Sequence, residues 1–210
     1  MHGNTEVNKL LKFVVSPTYL YADFRKSKLS KDQRTELIKK YNLRYLVVSW
    51  SLAAMLGLTW QWNEYPTDGW LIPYGVMVAV LIWLLPFSRN NEIFLAFLED
   101  AYDKVSHKGP SSNLSFSERI RLALHSYLEL LSNFAIIYYM VPRAWFSKPL
   151  EGIWDAIYYS GVTITTLGYG DIHPTHWVPK GLAVYEVFCG FILLIVSFAI
   201  YAGRGMNRNA

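Results

Sequence analysis

The sequence predicts an all-α integral membrane protein with four transmembrane helices and one re-entrant half-helix. Three observations predict it. Of 210 residues, 52% are hydrophobic and 16% aromatic, while only 17% are charged, against about 25% in ordinary soluble domains. Four stretches, 45–62, 70–87, 122–141 and 181–201, are apolar and nearly uncharged, at about the 20 residues that a hydrocarbon core demands. A further apolar stretch, LEGIWDAIYYSGVTITT after Pro149, is too short to cross and runs straight into glycines.

The elements follow in order. Residues 1–44 form a cytoplasmic amphipathic segment. Val7, Leu10, Leu11 and Val14 share one face of a short helix expected to end by Pro17, suited to the inner leaflet or to docking on the protein. Ser30 with Gln33 reads as a capping box that starts a helix running into the first span. Residues 45–87 form a peripheral two-helix hairpin. Its loop QWNEYPTDG has no cation, and Trp60, Trp62, Tyr65 and Trp70 make an interfacial belt. Residues 88–121 are a connector with an amphipathic helix in NEIFLAFLEDAYDKV and a second cap, Ser115 with Glu118. The sequon at Asn113 is expected to be cytoplasmic and unmodified. Residues 122–202 hold an outer helix, the half-helix, its return limb and an inner helix; 203–210 are a short tail.

Orientation follows from Lys and Arg. Seven cations from Lys26 to Arg44 precede the first span; Arg89, Lys104, Lys108, Arg119 and Arg121 lie in the connector; Arg204 and Arg208 lie in the tail. Both termini and the connector are therefore predicted cytoplasmic, in a multi-pass protein of the cell membrane. The loop between the third and fourth spans lies outside, despite Arg143, Lys148 and Lys180. The net charge of +4 is explained by this clustering, and no nucleic-acid partner is expected. Cys189 is the single cysteine, which excludes an intramolecular disulfide. No cleavable signal peptide is expected at the polar N-terminus. No span carries a cation at every third position, so a charge-carrying voltage sensor is not expected. No C-terminal nucleotide- or calcium-binding domain is expected after the short tail.

The chemistry concentrates in TITTLGYGD, Thr163 to Asp171. Irregular backbone at membrane depth is tolerated only when buried in protein or lining a wet cavity. Glycine adopts backbone angles forbidden to other residues. Gly168 and Gly170, alternating with Leu167 and Tyr169, can aim successive carbonyls one way, with the Thr166 hydroxyl below. Such a ring replaces the water around a dehydrated cation. One chain supplies one side of it, so several copies around a closed symmetry axis are required.

The run Thr165-Thr166-Leu167-Gly168-Tyr169-Gly170-Asp171 closely resembles the selectivity filter of potassium channels. The resemblance covers about residues 122–201 and implies a homotetramer in the lipid bilayer. Potassium would pass passively between carbonyls of Thr166, Leu167, Gly168, Tyr169 and Gly170, with no cofactor and no enzymatic activity. Thr165, Asp171, Tyr158 and Tyr159 become filter supports. The family commonly has valine at the place of Leu167 and a tryptophan pair at Tyr158 and Tyr159, whose first member often bonds the filter aspartate. Val162 stands where some bacterial members carry a buried glutamate. Gly190 sits where many potassium channels have an inner-helix hinge, and close helix packing is a compatible reading.

Outside the filter, Glu186 is an ionisable group within a span, read as support for the half-helix rather than as a cavity-facing charge. Arg121, His125 and Glu129 share one helical face. Glu129 reads as hydrogen-bonded to the first two spans; a sharper alternative makes His125 and Glu129 a proton-sensing pair. His173 is a candidate sensor of outside pH. Three rivals remain: a nonconducting or regulatory channel subunit, an intramembrane aspartyl protease of the G-x-G-D type, and a weakly selective cation channel. The second would need Asp103 and Asp171 to meet, yet they are predicted on opposite sides of the membrane. No cytoplasmic partner and no gating stimulus is identified.

Overall fold

The described residues begin on the end of a helix, 13–15, and a proline opens the next. In the computed structural model, which describes residues 13–58, 71–106 and 111–196, α1 spans Pro17–Ser27, and the Ser16 hydroxyl accepts from the Tyr19 N–H at 3.0 Å. The described end of the helix before it, 13–15, stops at Val15, in keeping with the expectation of a helix ending by Pro17. A ring that fixes φ and lacks an N–H suits a first helical turn, where that N–H has no partner anyway. Most of the expected earlier helix, with Val7, Leu10 and Leu11, lies outside the described residues, as do the aromatic belt from Trp60 to Trp70, Lys108 and the tail.

α2 (Lys31–Leu58) begins at the expected capping box: Gln33 N–H reaches Ser30 Oγ at 3.4 Å and Ser30 N–H reaches Gln33 Oε1 at 3.1 Å. Its 28 residues make a rod of about 42 Å. α3 (Leu71–Ile82) passes through a π-helical turn, Trp83–Phe87, into α4 (Ser88–Val105) without a break. Pro86 lies inside that turn; the wider winding absorbs a ring that clashes with the preceding turn and cannot donate. The expected boundary between hairpin and connector at residue 87 therefore falls within a continuous helix. The irregular turn leaves the Ser88 carbonyl open to outside donors, and Ser16 Oγ (2.7 Å) and Thr18 Oγ1 (3.1 Å) both bond it. That contact holds α1 against the kink.

α5 (Phe116–Met140) is the hub. It opens on a complete capping box between Ser115 and Glu118, then buries Leu130, Phe134, Ile136, Ile137 and Tyr138, so much of its length is apolar all round. α2 runs parallel beside it. The contacts climb both helices together: Asn113 N–H to Thr35 Oγ1, Lys39 to Glu118, Asn42 to Ser126 and Ser49 to Asn133. Two more helices pack on α5. α6 (Ile153–Ile164) is the half-helix, and α7 (Trp177–Phe191) continues through a π turn, Ile192–Val196, that packs on α4. Ala156 and Tyr159 of α6 and Cys189 and Leu193 at the end of α7 join α5 in one core.

Two described helices, Gly75–Asp103 and Trp177–Leu194, are long and apolar enough to cross a membrane. Val47, Val48 and Met55 on α2 and Val76, Met77 and Leu85 on α3 and its π turn are exposed. Apolar surface of that extent faces lipid or a partner. Arg89, read from the sequence only as one of the connector cations, is buried and paired in the fold.

Candidate functional site

The site is built on the C-terminal end of α6. Its 12 residues reach about 18 Å, roughly half a bilayer. The helix stops at Thr165, whose hydroxyl turns back to the Gly161 carbonyl at 2.6 Å. Beyond it the backbone changes hand at alternate residues: φ is 60° at Thr166, 53° at Gly168 and 79° at Gly170. Leu167 and Tyr169 between them are not in that region. Alternation of hand is the backbone pattern that brings successive carbonyls to one side. For glycine it costs little. For a β-branched threonine it is a strained conformation, of the kind that clusters at functional sites. The Thr166 and Gly168 N–H groups anchor the return limb to the Thr163 and Val162 carbonyls at 2.9 and 3.1 Å.

The supports are distributed as follows. The Tyr158 hydroxyl donates to Asp171 Oδ2 at 3.0 Å, so the hydroxyl reaches the aspartate. Tyr159 points away and packs edge-on against Tyr138 and Phe146. His173 Nδ1 lies 3.2 Å from the Gly170 carbonyl; a carbonyl only accepts, so Nδ1 carries the proton. His173 is also pinned through its backbone, donating to Ser147 Oγ at 3.1 Å and accepting from Ser147 N–H at 2.8 Å. His176 stacks on Trp145 with ring centres 4.0 Å apart. The segment after Asp171 is thus tied to the loop after α5.

Behind α6 lies Glu186, completely buried. Tyr138 OH donates to its Oε2 at 2.8 Å, and Ser160 Oγ is 2.5 Å from its Oε1. One carboxyl group therefore ties α7 to α5 and α6. Val162 offers no carboxylate; the acidic group behind the half-helix comes from α7 instead. A Cβ placed on Gly190 would lie 2.8 Å from Ile164 Cγ1 and 3.2 Å from the Ile164 carbonyl oxygen. The inner helix thus crosses the end of α6 at glycine distance. Tyr185 donates to Asn91 Oδ1, and Asn91 donates to the Val15 carbonyl at 2.5 Å, joining α7 through α4 to the segment before α1.

His125 and Glu129 do not form a pair. Both Glu129 oxygens accept from Arg89, at 2.7 Å from Nε and 3.2 Å from a terminal nitrogen. Arg89 also pairs with Glu92 at 2.7 Å and lies over the Tyr45 ring. His125 Nδ1 instead lies 3.1 Å from Asn42 Oδ1. The sequence reading missed Arg89, Ser160, Tyr138 and Tyr185. Arg89 held the one available signal, a cation immediately following an apolar span on a chain with an acidic residue inside another span.

Residues 126–206 match the model of a family described as "Ion channel". The chain is similar to "Potassium channel K2" of Plasmodium falciparum, at 28% identity over 126 residues, which is 56% of this chain and 8% of that protein. The chain thus spans a small part of the length of that relative. No solved structure gives a significant match.

Proposed function

We propose that the chain is one subunit of a potassium-selective channel. The carrying observation is the sequence Thr166 to Gly170 at the end of a half-length helix, with left-handed backbone at Thr166, Gly168 and Gly170. Four such limbs around an axis make stacked carbonyl rings that replace the hydration shell of potassium. Leu167 and Tyr169 are 60% and 68% exposed on the single chain, as expected of side chains whose packing partners lie on neighbouring copies. On α7, Val184, Phe188 and Phe191 form an exposed stripe at helical spacing, available for the same assembly.

In this reading the spans are α2, α3 into α4, α5 and α7, with both termini cytoplasmic and α6 entering from outside. Glu186 and Tyr158 fix the half-helix and the filter mouth, and Gly190 sets the approach of the inner helix. Flow is passive. The similarity to a potassium channel and the matched ion-channel region support this reading over a protease.

The test is a reversal potential. Purified chain goes into a planar bilayer with potassium on one side and sodium on the other. Reversal near the potassium equilibrium value, with current lost in Gly168→Asp, is expected. Reversal near zero would break the step from motif to selectivity, with Leu167 the first residue to change.

A further inference from the structure

We infer that the cytoplasmic ends of α2 and α5 form a binding site for the phosphate of an anionic phospholipid, seated between Lys40 and Arg121. The two parallel helices leave a cavity of about 310 Å³, lined by Glu36, Lys39, Lys40, Leu43, Arg121, Leu122 and His125. The cations there are not equivalent. Lys39 is engaged by Glu36 at 3.0 Å and by Glu118, so it closes the cytoplasmic rim and brings no spare charge. Lys40 and Arg121 are exposed, and both line the cavity. They are the positive charge left for a ligand.

His125 lines the cavity without supplying a donor to it. The Asn42 amide nitrogen sits 3.4 Å from the Leu122 carbonyl and 2.8 Å from Ser126 Oγ. A carbonyl only accepts, which fixes the amide orientation and turns Asn42 Oδ1 to His125 Nδ1. Nδ1 must then carry the proton, and the Nε2 lone pair of that tautomer accepts rather than donates, so His125 gives a phosphodiester no hydrogen bond and the site rests on Lys40 and Arg121.

Apolar surface decides the source of the phosphate. Leu43 and Val47 continue the Lys40 face of α2 at helical spacing, and Leu124 and Leu128 continue the Arg121 face of α5. All four are exposed. They follow the cationic end toward the apolar length of both helices. A soluble phosphate ester has no use for such exposed apolar faces; an acyl chain packs on them. The site rests on the channel reading in one respect: α2 and α5 must enter the bilayer from the cytoplasmic side.

The probes are phosphatidylglycerol, phosphatidylcholine and inorganic phosphate, titrated onto the full chain in detergent and read by native mass spectrometry. Phosphatidylglycerol is expected to bind most tightly, and Lys40→Gln with Arg121→Gln to weaken it roughly tenfold or more, given the usual worth of a cation at an anionic surface. Lys28→Gln with Lys31→Gln removes the same charge outside the cavity and should leave binding within about twofold on that scale. Lys40→Arg with Arg121→Lys should retain it. Equal loss in both charge-removing variants, or phosphatidylglycerol binding no better than phosphatidylcholine, overturns the site. Inorganic phosphate binding as well as the lipid overturns the lipid assignment. A chain that conducts potassium yet fails these comparisons loses the site and keeps the channel reading; one that passes them and conducts nothing does the reverse.

Discussion

Glu186 concentrates the chemistry of the single residue. The Ser160 hydroxyl has one proton and two neighbours, Glu186 Oε1 at 2.5 Å and the Leu131 carbonyl at 2.9 Å. Glutamine keeps the shape, accepts from Tyr138 and donates to Ser160, so every group retains a partner. Alanine leaves Tyr138 OH buried without its acceptor, at about 1–3 kcal/mol for each orphaned group, and opens a void as well. Glu186→Gln should therefore melt within a few degrees of the parent in detergent, and Glu186→Ala should melt clearly lower. Equal melting of both would show that the carboxyl is not a tie. Gly190 is argued the same way. Its nearest neighbours are Ile164 Cγ1 and the Ile164 carbonyl, and backbone yields less readily than a side-chain tip. Gly190→Ala should cost about 1–3 kcal/mol by overpacking. Adding Ile164→Ala should recover part of that loss. Strict additivity of the two changes would leave a hinge role and remove the packing one.

Among the elements, the caps were legible and the kink was not. Ser30 with Gln33 and Ser115 with Glu118 start helices where the sequence put them, because a cap is a local hydrogen bond between residues three apart. The length of α6 was legible for a similar reason: the glycines that end it are adjacent to it. Pro17 marks a helix boundary and Pro86 does not, since proline sits well at a first turn and is also absorbed in a π turn. The identity of the Glu129 partner was harder to read, as Arg89 lies 40 residues away in sequence and its only signal is a cation directly after an apolar span. Lys39 and Glu118 show how two elements couple at the interface. The Lys39 ammonium is the largest cause holding the Glu118 carboxyl down to about 2, ahead of the bonds from Ser115. A depressed carboxylate stabilises the fold above its ordinary value, about 4.5, and that contribution is lost as pH falls toward 2. In Lys39→Met the Glu118 titration, followed by carboxyl chemical shift, should move up toward 4.5 and stop short of it, because Ser115 still donates. An unchanged midpoint would show that the ion pair does not set it.

For the whole molecule, the question is whether the helices around the half-helix can sense voltage. The helix Gly75–Asp103, which passes the test for a span, contains one cation, Arg89. Carrying one elementary charge across the whole field yields about 2.3 kcal/mol per 100 mV. Arg89 is held by both oxygens of Glu129 and by Glu92, away from water. Separating a buried pair costs about 3–5 kcal/mol, and the Tyr45 ring stacked on the guanidinium adds to the restraint. The field therefore provides less than the displacement requires over the usual range of membrane potentials. The pair is braced between α4 and α5, and the channel proposed here is expected to respond weakly to voltage. Currents from reconstituted protein, stepped between about −100 and +100 mV, should give a conductance that changes by less than one elementary charge's worth of steepness. A curve equivalent to several charges would mean that Arg89 leaves Glu129 during gating, and the static brace would have to be abandoned.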